Sequence, residues 1–128
     1  MKPGDSRIVL IATAMLSLSL LPSCGFKRKL VSIDIVPNAA TLGGPGLSLQ
    51  LQAIGHYVHP PDSRDISTTV TWKSAAEQVV TVDQTGLAKS QFGFCGDNIT
   101  ITSTGHSDPN DSSSGIVVGT AAISVTCP

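Results

Sequence analysis

Three cysteines, three histidines and a scatter of aspartates are what this 128-residue chain offers for chemistry. Cys24 ends an apolar run, whereas Cys95 and Cys127 lie in the last third of the chain. A thiol can be acylated, joined in a disulfide, bound to a metal or used as a nucleophile. His56, His59 and His106, with Asp62, Asp65, Asp108 and Asp111, are the one set that could hold a divalent cation or pass a proton. No known ligand spacing runs through them, and His56 and His59 would point to opposite faces of an extended chain. Asp and Asn in polar segments of this kind commonly form turns. The set is therefore a weak metal candidate, and no metal is expected.

Catalysis finds less support still. The chain has no Gly-x-Ser-x-Gly, no His-Glu-x-x-His and no glycine loop of the phosphate-cradling type. Cys95 could attack a substrate only if it were unpaired. A non-enzymatic protein without a cofactor is the expectation. After the cluster Lys27, Arg28 and Lys29, three basic residues stand against eight acidic ones, a net charge of about −5. Nucleic acid, whose phosphates demand a basic face, is excluded as a partner.

The elements that must position these groups follow from hydropathy. Ile8–Leu21 is apolar apart from Thr13, Ser17 and Ser19. It is short for a spanning helix, which takes about 20 residues, and suits the apolar part of a signal peptide. A retained membrane anchor is the alternative. From Leu30 onward the pattern has period two. Val31, Ile33 and Ile35 alternate with polar residues, as do Leu47, Leu49, Leu51 and Ala53. Gly43-Gly44-Pro45-Gly46 forms a turn between these two strands, and a polar loop with Pro60-Pro61 follows the second. Further strands are expected at Thr68–Lys73, Val79–Asp83, Leu87–Lys89, Asn98–Ser103 and Val117–Thr126. Seven short antiparallel strands in about 100 residues make an all-β sandwich of immunoglobulin-like form. Trp72 belongs in its core.

The last two strands test the cysteines. An antiparallel register with Ile99 opposite Ile123 and Ile101 opposite Ala121 puts apolar residues on one face of both. Continued outward, it sets Cys95 opposite Cys127, within the roughly 4.5–5.5 Å that opposed strand residues span. A disulfide between them is expected; two free thiols are the alternative. Phe92 and Phe94 flank Gly93 beside it and either plug that end of the core or form an exposed contact patch.

Leu21-Pro22-Ser23-Cys24 resembles the lipobox of bacterial lipoproteins. Leu three places before the Cys and Ser directly before it fit; Pro22 departs from the pattern. The resemblance implies removal of residues 1–23, a diacylglyceryl group on Cys24 and a short basic tether, residues 24–29. It leaves Cys95 and Cys127 as the remaining pair. An ordinary signal peptide is the alternative. Gly25 is not the Asp associated with inner-membrane retention, so the outer membrane of the cell envelope is favoured in a two-membrane bacterium.

A second resemblance covers Leu30–Val125. Ser32-Ile33 through Pro37, Leu47-Ser48-Leu49-Gln50-Leu51, Val70-Thr71-Trp72-Lys73-Ser74 and Val80-Thr81-Val82-Asp83-Gln84-Thr85-Gly86-Leu87 are similar to the bacterial immunoglobulin-like domain of group 2, found in intimin- and invasin-type adhesins. Phe92–Asn98 departs from that family. The likeness implies a domain over 30–128 with no catalytic residues, used for adhesion, spacing or contact with a protein or glycan. An accessory subunit packed into a larger envelope assembly is the alternative. In the sandwich that it implies, the tether enters beside His56, His59 and His106, and the disulfide end points away from the membrane.

Overall fold

The computed structural model describes residues 27–127, so Cys24, its apolar leader and Pro128 lie outside the described part. The chain enters as β1, Lys29–Val36. Here the expected alternation breaks. Val31 is half exposed, while Leu30, Ile33 and Ile35 are buried. The pairing shifts between Leu30 and Ser32, which is a β-bulge. The extra residue moves Val31 out of the face that strict alternation assigned to it.

Pro37-Asn38 ends β1, and the chain crosses to β2, Ala39–Leu42. The stretch expected as one strand at Leu47–Ala53 is two, β3 (Ser48–Gln50) and β4 (Gln52–Val58). They divide at Leu51, which is fully buried and donates its N–H to the Gly86 carbonyl. Asp62–Asp65, expected as loop, is β5 and pairs with β4. Its side chains carry no apolar alternation, so only backbone pairing reveals it. The remaining strands are β6 (Thr71–Ser74), β7 (Val80–Val82), β8 (Leu87–Ser90), β9 (Gly96–His106) and β10 (Ile116–Val125).

Among the described residues ten segments thus stand where seven were expected: β2 and β5 are new, and one strand is split. The sheets are ordered β1-β4-β5, β3-β8-β7 and β2-β10-β9-β6. Because β3 and β4 are one continuous stretch, the two three-stranded sheets form a single layer facing the four-stranded one. This is the immunoglobulin-like arrangement. All pairs are antiparallel except β2 with β10, which is parallel.

The core lies between the layers. Leu51, Val80, Ile101, Ile123 and Val125 are essentially inaccessible to solvent, and each contributes about 1.5–3 kcal/mol of burial. Trp72 is buried as expected, with its indole N–H satisfied by the Ser67 carbonyl at 2.7 Å.

The two ends of the sandwich differ. At one, Lys29 pairs with Val58, and the Leu30 N–H bonds the Ser107 carbonyl. At the other, Gly46 bonds Ser90 and Thr126 bonds Leu42.

Candidate functional site

β9 and β10 follow the expected register. Ile99 faces Ile123 and Ile101 faces Ala121. Beyond them the register slips by one, so that Val125 pairs with Gly96, and Asp97 and Asn98 together oppose Ser124. Asn98 takes the irregular position with φ 54, and its N–H bonds the Ser124 hydroxyl at 3.0 Å. The register therefore does not run unbroken to Cys95. The two thiols meet all the same, just outside the strand ends: Cys95 and Cys127 form a disulfide with a Cα–Cα distance of 5.1 Å. The bond closes a loop with a sequence separation of 32, for which chain entropy gives about 3–4 kcal/mol.

Beside the disulfide, Phe92 and Phe94 are exposed by 75% and 55%. They do not plug the core. Gly93, at φ 85, makes the segment a turn, so the two rings are not held in strand alternation. Phe92 lies over Gly46, where a Cβ would come within 3.0 Å of its Cζ. The Gly43–Gly46 turn is fastened from below by buried Ser90, whose hydroxyl donates to the Gly44 carbonyl and accepts the Leu47 N–H. Leu47, half exposed, adds an aliphatic surface to this end. The result is a braced tip with two open aromatic rings.

His59, His106, Asp62, Asp108 and Asp111 lie toward the opposite end, whereas Asp65, paired with Ile54, sits farther along the sheet. A cavity of about 280 Å³ at that opposite end is lined by Leu30, Tyr57, Ile66, Val70, His106 and Pro109, among others. Arg28 stacks on the Tyr57 ring with its guanidinium carbon 5.9 Å from the centroid. His59 follows β4 in the turn to β5. The aspartates act as turn formers: Asp108 accepts the Asn110 N–H, and Asp111 accepts the N–H and hydroxyl of Ser113. Those bonds hold the Asp111 carboxyl below its ordinary pKa. Asp62 is lowered chiefly by the hydrogen bond from Arg64 at 2.6 Å, with a smaller pull from Arg28. Among the described residues no group of three or more His, Cys, Asp or Glu side chains could hold a metal ion.

One array was not foreseen. His56 Nδ1 lies 2.8 Å from the Ser63 hydroxyl, and its Nε2 lies 2.7 Å from Asp34. The three residues come from β4, β5 and β1 and meet through cross-strand register. A Ser–His–Asp chain suggests acyl transfer. Here it lies on the outer face of a sheet, with the His56 and Asp34 side chains 36% and 71% exposed. Its hydrogen bonds tie β1, β4 and β5 together on that face. The sequence hid it because the His56–Ser63 pairing requires β5.

The family-like residues also form one unit. Asp83 accepts hydrogen bonds from the Thr85 N–H and hydroxyl and from the Leu87 N–H, closing the turn. These hold its carboxyl below the ordinary range. Gly86, at φ 86, then passes directly against Trp72.

No curated protein matches the chain. Residues 30–91 match the bacterial Ig-like domain (group 2). The match ends just before Phe92–Asn98 and is shorter than the resemblance over Leu30–Val125. Past residue 91 the sandwich is completed by β9 and β10, through the aromatic turn and the disulfide. Domains of this family are typically non-catalytic and occur in bacterial surface and envelope proteins. From β1 through β8, the part that the family's model matches, the chain is similar to the bacterial Ig-like domain of group 2.

Proposed function

We propose that this chain is an envelope lipoprotein, cut after Ser23 and held by a diacylglyceryl group on Cys24. It presents one Ig-like sandwich for non-catalytic contact with a protein or glycan, or as a spacer. The added group is the covalent lipid on Cys24, and in a two-membrane bacterium Gly25 after the modified Cys favours the outer membrane. One observation carries the reading: the chain enters at the Tyr57–His106 end, and the aromatic rings stand with the disulfide at the other. With Arg28 already stacked on Tyr57, the link from Cys24 to the domain spans at most about 14 Å. Such a link keeps the entry end near the bilayer and turns Phe92 and Phe94 outward. Fractionation of cells making wild type and Cys24→Ser tests this. Wild type is expected in the membrane pellet and Cys24→Ser in the soluble envelope fraction or as uncleaved precursor; identical membrane extraction of both, at mature size, contradicts it.

A second reading, an accessory subunit packed into an assembly, is favoured by Ile116 and Val118, aliphatic residues exposed by 66% and 51% on β10. In-cell crosslinking from position 118 separates the two. A defined envelope neighbour supports the subunit, and no adduct supports the free-standing module.

A further inference from the structure

The edge strand partner of β10 stops halfway. β2 pairs with Ala122–Val125. On that same side, Ile116–Thr120 has no strand beside it among the described residues. The direction of the backbone groups can be read from the bonds that are made. The Ala122 N–H donates to Asn38 and the Thr126 N–H to Leu42. Even-numbered residues of β10 therefore turn their N–H and C=O groups toward the side of β2. By the same alternation Ile116, Val118 and Thr120 direct theirs to the open side, where the described residues supply no backbone partner.

Three further features mark this half-edge. Ile116 and Val118 expose aliphatic side chains, whereas Val117 and Gly119 face inward. Ile116–Thr120 carries no charge, although exposed edges are commonly blunted by charge; β5 has Asp62, Arg64 and Asp65, and β6 has Lys73. A cavity of about 560 Å³, lined by Ile33–Val36, Pro37, Asn38 and Thr120, opens where β2 joins the edge. Nor does β1 cover that edge. Its Ile33 carbonyl lies where a Gly119 side chain would point, 2.7 Å from a Cβ built there, which places β1 on the inward face of β10.

We propose that Ile116–Thr120 receives an extended strand from another protein, one with aliphatic side chains at alternate positions, continuing the line that β2 begins. β2 shows that this edge accepts a strand. A lipid surface is a poorer occupant, because hydrocarbon leaves the three sets of N–H and C=O groups without partners. A second copy is also poorer. Antiparallel self-pairing would centre on Val118 and send the two Lys29 ends in opposite directions, which chains tethered at Cys24 in one membrane cannot adopt. Only this choice between a second copy and another protein rests on the anchored reading.

The test gives the edge a strand at high local concentration. The full chain is extended after Pro128 by a Gly/Ser linker of about 20 residues and the probe Thr-Val-Thr-Val-Thr, at millimolar effective concentration. Hydrogen exchange is compared with that of the same protein ending in the linker alone. Amides of Val118 and Thr120 are expected to exchange at least about ten-fold more slowly with the probe present. Val118→Lys, at an exposed site, is expected to keep the fold, judged by Trp72 fluorescence, and to abolish the slowing. Unchanged exchange overturns the proposal. So does slowing that is present without the probe and grows with protein concentration, which marks a second copy, or that needs vesicles of phosphatidylethanolamine and phosphatidylglycerol. Slowing in protein found without lipid on Cys24 supports the edge and removes only the anchored reading.

Discussion

Gly86 lies so close to the indole of Trp72 that a Cβ on it would sit 2.9 Å from Cζ2, and 2.6 Å from the Leu51 carbonyl oxygen. The Asp83–Gly86 turn is thereby pressed onto the core tryptophan, and Leu51, where β3 gives way to β4, is bonded to the same glycine. Three parts of the sequence are locked at one point. Gly86→Ala combines a left-handed backbone with a backbone clash and is expected to cost about 3 kcal/mol. Gly93→Ala, at nearly the same φ but with nothing within 4 Å, is expected to cost only about 1 kcal/mol. Urea denaturation of the two variants separates the clash from the dihedral; equal losses would refute the close packing.

Loss of the disulfide acts through the unfolded chain. Cys95→Ala with Cys127→Ala is expected to lower stability by about 3–4 kcal/mol. The β9–β10 register should persist, because Ile99, Ile101, Ala121 and Ile123 hold it from the core. Chemical denaturation with amide exchange across β9 checks both parts.

Phe92 and Phe94 contribute surface, not core. Phe92→Ser with Phe94→Ser is expected to change stability by no more than about 0.5 kcal/mol per site. A loss of several kcal/mol in thermal melting would return these rings to the core.

How far the sequence could be read varies by residue. Ile99 and Ile123 were legible because one buried face fixes register, and the trend they set led to Cys95 and Cys127 despite the bulge at Asp97-Asn98. Val31 was not, since a bulge is a local insertion that alternation cannot announce. Asp62–Asp65 lacked any apolar period, and with it went the Asp34–His56–Ser63 array, which exists only through β5. The placing of His59 and His106 beside the chain entry follows from topology and was legible, whereas the packing of Tyr57 there was not. The open half of β10 was not, because nothing in Ala39–Leu42 says how far along the edge β2 will run.

Acid should weaken the carboxylate hydrogen bonds of β5 and of the turns at Asp83 and Asp111. Asp62, Asp65, Asp83 and Asp111 all have pKa values lowered from 3.8, each chiefly by a side-chain hydrogen bond, from Arg64, Ser67, Thr85 and Ser113 respectively. For a carboxylate with a depressed folded pKa, the stabilisation is complete above the unfolded value and disappears as pH falls through the folded one. Stability is therefore expected to be flat with respect to these groups above about pH 5 and to fall below pH 4. Asp83→Asn should flatten that fall. Urea midpoints from pH 6 to pH 2 check the sign, and a rise in stability on acidification contradicts it.

The proposed lipid anchor is Cys24. Its most direct test is mass spectrometry of the amino-terminal peptide of protein extracted from the membrane fraction. The expected peptide begins at Cys24 and carries diacylglyceryl on sulfur, with or without an acyl group on its new amine. A chain that keeps residues 1–23, or one cut elsewhere with an unmodified Cys24 thiol, would contradict the anchored module.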